Sequence, residues 1–333
     1  MSRENKVMSM REAVEKFVRD GDTVYIGGFV QQEPYAAVHE IIRQKKKNLT
    51  VSMCAGITVI DQLVGAGCVA KVISSFVWNP TPKPAHAFKR AMEKGLPRPI
   101  EVEDFTVLSM TLAYFAGALD LPFIPAKTPS GSDIVSRRTF MGEDKFKIIE
   151  SPFTGEKVCL IPLLKHDVGI IQIQRADVDG NGQAWGLLGD SKYGINSCAK
   201  VILCVEEIVD REVVRRDPNR TIIPGLKVNA VVEEPWGGHP SYVTGHYEMD
   251  WGYFLYYDEA TRTPEGFAEY LGKWVYGVKD RREYMKLLSR GNRKPDKRKH
   301  GLGLESARGG KRDGTPGGRS QNKYQFILSI DVK

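Results

Sequence analysis

The chain has 333 residues, of which 41% are hydrophobic and 27% charged, and this length allows one large domain or two smaller ones. No uninterrupted apolar run reaches the ~18 residues that suggest a membrane-spanning helix, and the N-terminal residues lack the apolar core of a secretory signal. The five cysteines are scattered without a C-x-x-C pair, which is typical of buried thiols in a reducing compartment. We therefore expect a cytoplasmic protein that has no membrane segment.

The net charge of +7 is concentrated at the C-terminal end of the chain. Residues 289–333 contain 12 of the 48 basic residues, 4 of the 41 acidic residues and eight glycines. Residues 1–288 carry 36 basic and 37 acidic side chains, so they offer no electrostatic footprint for nucleic acid. We expect residues 1–288 to form the folded domain and residues 289–333 to be a disordered basic tail.

Strands and helices alternate along the first half of the chain. Ser9 and Glu12 are spaced as a capping box before a first helix, which we expect to end near Gly21. The next predicted elements are strand 23–26, helix 35–47, strand 49–54, helix 58–64, strand 69–76, helix 84–94 and helix 107–119. The second half has predicted strands at 158–162, 168–172 and 200–204 and predicted helices at 264–276 and 280–288. This alternation predicts an open α/β fold: a mostly parallel sheet with helices on both faces and an elaborated second half.

The first predicted strand is followed directly by Gly27, Gly28 and Phe29. Glycine adopts backbone angles that are closed to other residues, and it lets a ligand approach the backbone amides closely. The pair lies where a strand passes into a helix, which is where α/β proteins bind their ligands. Two adjacent glycines are also typical of a tight turn that serves packing alone, so the pair by itself does not choose between these interpretations.

Several familiar site motifs are incomplete or absent in this sequence. Asp177 begins a pattern that matches the first half of a calcium loop, but its twelfth position is Leu188 instead of glutamate, and we interpret the segment as a hairpin turn. The six histidines lack metal-ligand spacing, so we expect no metal site, and we expect His239 to hold a loop by hydrogen bonding. No motif of an NTPase, a Rossmann dehydrogenase or an α/β-hydrolase is present.

Seven segments in order carry a family resemblance. Residues 20–29, which include the Asp-Gly pair at 20–21 and the Gly-Gly-Phe at 27–29, resemble the signature of family I coenzyme A transferases near the start of their A-type subunit. Two departures are Tyr25, which stands among residues that are usually aliphatic, and residues 30–34, which differ from the 3-oxoacid branch. Further segments resemble the A-type half of glutaconate CoA-transferase: SPFTGE (151–156), QRAD with DGN (174–181), VEEIV (205–209), RDPNRT with IPG (216–225), PWGGHPS (235–241) and WVYGVKD (274–280).

The resemblance implies an activity that this chain shares with a second protein. Family members transfer coenzyme A between carboxylic acids through a glutamate nucleophile, which belongs to the B-type half. We therefore expect the A-type subunit of a two-component acyl-CoA:carboxylate CoA-transferase of glutaconate type, in a heterodimer or heterotetramer with a B-type subunit. It would bind no permanent cofactor, take acyl-CoA and a carboxylic acid as substrates, and contain no catalytic residue of its own.

The candidate pocket residues are backbone amides and hydroxyls, which suit the oxyanion of an acyl intermediate and the free carboxylate of a dicarboxylic acyl group. They are Gly27, Gly28, Phe29, Ser74, Ser75, Ser109, Gly131 and Ser132.

Two other functions stay open at this point. A related two-component enzyme hydrolyses a carbon–carbon bond in a ring-bearing CoA thioester with an acidic residue of its A-type half, and Glu101, Glu103 and Asp104 are the acids that precede helix 107–119 here. A stand-alone α/β module that binds small acids without a second polypeptide is the other alternative.

Overall fold

The computed structural model describes residues 6–81 and 83–290. Its strands are β1 Thr23–Ile26, β2 Leu49–Ser52, β3 Ala55–Gly56, β4 Val69–Ser74, β5 Phe76–Val77, β6 Glu101–Asp104, β7 Phe123–Ala126, β8 Lys147–Glu150, β9 Lys157–Pro162, β10 His166–Ala176, β11 Gly182–Gln183, β12 Cys198–Ile208, β13 Thr221–Ile223 and β14 Ala230–Glu233. Its α-helices are α1 Met10–Phe17, α2 Tyr35–Arg43, α3 Thr58–Gly65, α4 His86–Lys94, α5 Val107–Leu119, α6 Ser191–Asn196, α7 Arg211–Arg216, α8 Trp251–Ala260, α9 Pro264–Leu271 and α10 Arg281–Arg290.

The central sheet has nine strands, seven of which run parallel in the order β6-β4-β2-β1-β10-β12-β14. The strands β11 and β13 extend it in antiparallel orientation from the end of β10. The order places β1 near the centre, so the residues that follow it lie at the carboxyl edge of the sheet, between β2 and β10. The predicted open, mostly parallel α/β fold is confirmed.

Two hydrophobic clusters cover opposite faces of this sheet. In β1, Val24 and Ile26 pack into one cluster with α1, α2 and α3, whereas Tyr25 packs into the other cluster with α5. Because successive side chains of a strand point to opposite faces, this division requires helices on both sides of the sheet. All five cysteines are buried and unpaired, as the sequence predicts.

Most predicted elements are found, with differences at their ends. The Ser9–Glu12 capping box is formed. The second helix ends at Arg43 instead of residue 47, because Lys45 has a φ of 54°, which a helix cannot contain. The sequence did not predict β6, α8, or the strands β7 and β8, which pair with the predicted strand β9 in a separate antiparallel sheet.

The two predicted loop roles are also found. The Asp177 side chain accepts hydrogen bonds from the amides of Asp179 at 3.0 Å and Asn181 at 2.9 Å, and the segment joins the antiparallel strands β10 and β11 as a turn. His239 binds the Tyr284 hydroxyl and the Asp250 carboxylate, each at 3.0 Å, and so ties its loop to α10.

Within the described ranges, no helix has the length and apolar character needed to cross a bilayer. The predicted tail lies outside the described residues except for positions 289 and 290, which end α10.

Candidate active site

The glycine corner, residues 27–29, continues β1 at the carboxyl edge of the sheet. The Gly27 amide donates to the Ile170 carbonyl at 2.8 Å, and a Cβ on Gly27 would lie 2.6 Å from the Ile171 side chain. Gly28 has a φ of 104°, a conformation that L side chains rarely adopt. Both glycines are buried and Phe29 is half-buried, so the local packing requires glycine at the first two positions.

The three amides of the corner differ in their partners. The amides of Gly27 and Phe29 already donate to main-chain carbonyls, so these two predicted donors are occupied. The Gly28 amide donates instead to the Ser191 hydroxyl at 3.3 Å. Ser191 can move its oxygen away only by a change of its side-chain rotamer, so Gly28 is the corner amide whose acceptor belongs to a side chain and not to the main chain.

The loop 186–191 packs against the glycine corner and against Tyr25 of β1. The Tyr25 hydroxyl donates to the Asp190 carboxylate at 3.0 Å, and burial raises the pKa of Asp190 to about 6. The Phe29 side chain fills the space where a Cβ on Gly189 would stand. Tyr25, which departs from the family pattern, therefore holds in place the loop that carries Ser191.

The segment 30–33, which follows the glycine corner, has strained backbone angles and buried polar side chains. Val30 and Gln32 have φ angles of 68° and 60°, and a positive φ is a genuine outlier for a β-branched residue such as Val30. Gln31, Gln32 and Glu33 are fully buried, and Gln32 Nε2 donates to Gln174 Oε1 at 2.6 Å. Burial raises the pKa of Glu33 well above its ordinary value. Such strain clusters at functional sites, which favours a ligand site over a simple packing turn.

The predicted Ser74 and Ser75 lie at the end of β4 beside the end of β2. Ser74 Oγ donates to the Met53 carbonyl at 2.7 Å, and Ser75 Oγ donates to the carbonyl of Cys54. Strands β1, β2 and β4 are neighbours, and two strand spacings separate the serines from the corner by roughly 10 Å. Burial, and then the charge of Asp190, raises the pKa of the Cys54 thiol to about 12, which excludes it as a nucleophile at neutral pH.

A strand-end cavity of about 200 Å³ opens at the carboxyl ends of β4 and β6. Its lining is mostly apolar and consists of Ser74, Phe76, Val77, Phe88, Met92, Val102, Asp104 and Arg137. The Arg137 guanidinium pairs with the Asp104 carboxylate at 3.2 Å, while 69% of the arginine side chain stays exposed. Ser74 therefore lies on an apolar wall that has a cation beside it.

The other three candidates are placed differently. Ser109 is fully buried, and its hydroxyl forms the capping box of α5 with the N-cap residue Thr106. Gly131 and Ser132 are exposed in the segment between β7 and β8. The Ser132 hydroxyl donates to the Pro129 carbonyl at 2.7 Å, so the turn uses its own hydroxyl internally.

Glu103, one of the acids considered for ring hydrolysis, has a structural role. It is fully buried and pairs with the equally buried Lys145 at 2.9 Å. Burial alone would raise its pKa, but hydrogen bonds from Lys145, Met141 and Thr139 hold the pKa of the Glu103 carboxyl below its ordinary value. This acid fastens residues 139–145 to the end of β6, and its complete burial leaves no surface for a substrate.

Sequence reasoning missed Ser191 and Arg137 as site residues. Ser191 meets Gly28 across 163 positions, and no local pattern signals that pairing. Arg137 lies in a polar segment without periodicity. It comes close to Ser74 because it pairs with Asp104, which lies opposite Ser74 on the adjacent strand. The sequence did indicate the region of the site, because ligands of open sheets bind at the carboxyl ends of the strands and those ends could be predicted.

An open, mostly parallel sheet with a glycine corner, hydroxyls and a cavity at its carboxyl edge is typical of α/β proteins that bind ligands at their strand ends. The chain belongs to the coenzyme A transferase family, whose model matches residues 7–234. The predicted family is confirmed.

Two relatives and one solved structure show how far the similarity extends. The chain is 37% identical over 286 residues to the A subunit of 3-oxoadipate CoA-transferase from Pseudomonas knackmussii, and the match covers 86% of this chain and 99% of the relative. It is 35% identical over 304 residues to the A subunit of glutaconate CoA-transferase from Acidaminococcus fermentans, covering 85% and 92%. The crystal structure of glutaconate coenzyme A-transferase from the same organism superposes with a TM-score of 0.80 at 34% identity, covering 85% of this chain and 92% of that one.

Proposed function

We propose that this chain is the A-type subunit of a two-component acyl-CoA:carboxylate CoA-transferase whose acyl group is a dicarboxylate. A B-type subunit supplies the nucleophilic glutamate. The observation that carries the proposal is the strained glycine corner, which lies at the same carboxyl edge of the sheet as Ser74 and Ser75. Both relatives described above are named as A subunits of CoA-transferases.

The reaction divides one acyl transfer into covalent steps. The partner's glutamate carboxylate attacks the thioester carbon, and the tetrahedral oxyanion collapses with loss of the CoA thiolate to leave a mixed anhydride. The thiolate then attacks the glutamyl carbonyl, which releases the first substrate as a carboxylate and leaves a glutamyl–CoA thioester. A second carboxylate attacks that thioester and the steps run in reverse, so no redox change or external proton source is needed.

The role of this chain in those steps is to bind and stabilise. The Gly28 amide is the donor for an oxyanion, because the Ser191 hydroxyl that it now meets at 3.3 Å can move away by a change of side-chain rotamer. The strand-end cavity receives the carbon chain of the acyl group on its apolar wall.

Arg137 supports the assignment of a dicarboxylate. Its exposed guanidinium lies beside an apolar cavity, where it can bind the second carboxylate of the substrate in a charge-assisted contact. Glutaconate and 3-oxoadipate, which the names of the two relatives contain, both carry a second carboxylate.

Co-expression with a B-type subunit tests the division of labour. We expect the two chains to co-purify, and turnover of an acyl-CoA with a dicarboxylic acid to require both. A monomeric chain that turns over acyl-CoA alone would contradict the proposal. A monomer that binds small acids without turnover, even when the partner is present, would instead favour the stand-alone module.

Variants of the two neighbouring acids separate transfer from ring hydrolysis. Asp104 is the acid on the wall of the strand-end cavity, whereas Glu103 is fully buried. We expect Asp104→Asn to change substrate affinity but to keep CoA transfer, since the nucleophile is on the partner. Loss of all turnover in a folded Asp104→Asn complex would favour the hydrolase.

A further inference from the structure

A second cavity, of about 220 Å³, lies between α1, α2, α10 and the end of β14. We call it the α1–α10 cavity. It shares no lining residue with the strand-end cavity, and its size falls below the ~300 Å³ at which pockets for drug-sized ligands begin. Any occupant is therefore a small molecule.

The wall of this cavity contains a buried cation with an unused donor. Arg281 is 3% exposed, and its guanidinium lies 4.0 Å from the centre of the Tyr284 ring. Nε donates to the Trp236 carbonyl at 2.7 Å and Nη2 donates to the carbonyl of His239. Nη1 meets no hydrogen-bond acceptor anywhere in residues 6–81 and 83–290. A buried N–H without an acceptor is unfavourable, so this donor points to a ligand.

Most of the acids around Arg281 are engaged with other groups. Glu40 accepts from Arg43 Nε at 2.8 Å, and Asp280 accepts from the Glu283 amide at 2.8 Å. Glu233 likewise accepts from the main chain at the end of β12. Burial raises the pKa of the fourth acid, Glu234, to about 7. The cavity therefore gains positive charge as Glu234 takes up a proton.

Two helices also begin at this cavity. The first residues of α1 and α10 are Met10 and Arg281, and both line it. The N-terminus of a helix carries a partial positive charge and unpaired amides, which favour a bound anion. The two positive helix ends and the unused Nη1 donor are independent features that favour the same kind of ligand.

We propose that the α1–α10 cavity binds a small oxyanion, a carboxylate or a sulfate-like tetrahedral anion, on Arg281 Nη1. The bound anion ties the start of α1 to the start of α10 and to the loop of Trp236 and His239, which Arg281 already holds. This cavity is separate from the strand-end cavity and the proposal does not depend on the proposed function.

Calorimetric titration of the full chain tests the proposal, with sodium sulfate in one arm and sodium acetate in the other at constant ionic strength. We expect saturable binding that Arg281→Gln weakens about tenfold or more, since a hydrogen bond to a charged group is lost. Arg282→Gln is the matched control, because that arginine is the next residue of α10 and is exposed. The affinities for sulfate and for acetate distinguish a tetrahedral ligand from a carboxylate ligand, and binding of either anion supports the site.

The pH dependence of sulfate binding supplies a second readout, which is useful if the Arg281→Gln variant folds poorly. The charged groups that face the cavity are Arg11 from α1, Glu40 and Arg43 from α2, Glu233 and Glu234 from the end of β14, and Lys279, Asp280 and Arg281 from the start of α10. His39 also faces it, but burial lowers its pKa well below the ordinary value, so it stays neutral.

Below pH ~7 the Glu234 carboxyl is neutral, and above it the carboxylate repels the anion, so sulfate binding should weaken as the pH rises. Glu234→Gln should remove that weakening. Absence of saturable binding in both arms would overturn the proposal, as would equal binding by the wild type and Arg281→Gln. Acetate binding that depends on Arg137 and not on Arg281 would also overturn it, and would place the anion in the strand-end cavity.

Discussion

Substitution of Gly28 by alanine tests whether the glycine corner is as tightly determined as its geometry indicates. At a φ of 104° a Cβ would lie 2.6 Å from the Gln31 carbonyl oxygen and 2.9 Å from Glu33 Cγ. A left-handed backbone costs an L residue about 1–2 kcal/mol, and overpacking of a filled site costs about 1–3 kcal/mol more. We therefore expect Gly28→Ala to lower the free energy of unfolding by about 2–5 kcal/mol.

Gly21→Ala is the matched control for this substitution. Gly21 has a similar φ of 84°, but a Cβ there would meet nothing within 4 Å, so only the backbone cost of about 1–2 kcal/mol applies. Urea unfolding of both variants measures the difference, and CoA transfer by the assembled complex measures the effect of displacing the amide at position 28, which alanine retains. Equal destabilisation by the two variants, or full activity of Gly28→Ala, would refute the reasoning.

Three further predictions concern single side chains. Arg137→Gln should raise KM for a dicarboxylic substrate about tenfold and leave KM for a monocarboxylic substrate unchanged, because one charge-assisted contact is lost; steady-state kinetics with both substrates checks this. Lys145→Met should lower the free energy of unfolding by about 3–5 kcal/mol, because Glu103 stays buried without its cation, and denaturant unfolding measures it. Burial raises the pKa of Asp190 from 3.8 to about 6, so the folded state holds that proton more tightly than the unfolded chain and stability falls as the pH rises from ~4 to ~6. Asp190→Asn should abolish that fall, which is worth up to about 3 kcal/mol in unfolding measured across this pH range.

The fold was largely predictable because apolar periodicity reports burial directly. The strand Thr23–Ile26 and the helix Val107–Leu119 match their predicted bounds. The strand Glu101–Asp104 was missed because three of its four residues are charged. Its position comes from pairing with β4 and from the Glu103–Lys145 ion pair, and neither contact is local in sequence.

The candidate site was predictable only where a local backbone feature marks it. The glycine corner is such a feature, since Gly28 requires a positive φ that other residues avoid. Ser109 shows the limit of local patterns, because a serine three residues after Thr106 fits a pocket hydroxyl and a capping-box residue equally well, and only the structure shows that it is buried in the capping box of α5. The roles of Ser191 and Arg137 depend on contacts between distant parts of the chain.

The central claim is that this protein shapes a thioester-exchange cavity whose nucleophile belongs to another protein. Mass spectrometry of both chains, after the complex is incubated with acyl-CoA, measures this most directly. We predict a peptide of the B-type partner that carries coenzyme A on a glutamate, with every peptide of this chain unmodified. A CoA adduct on a carboxylate of this chain, or turnover without any adduct on the partner, would contradict the claim.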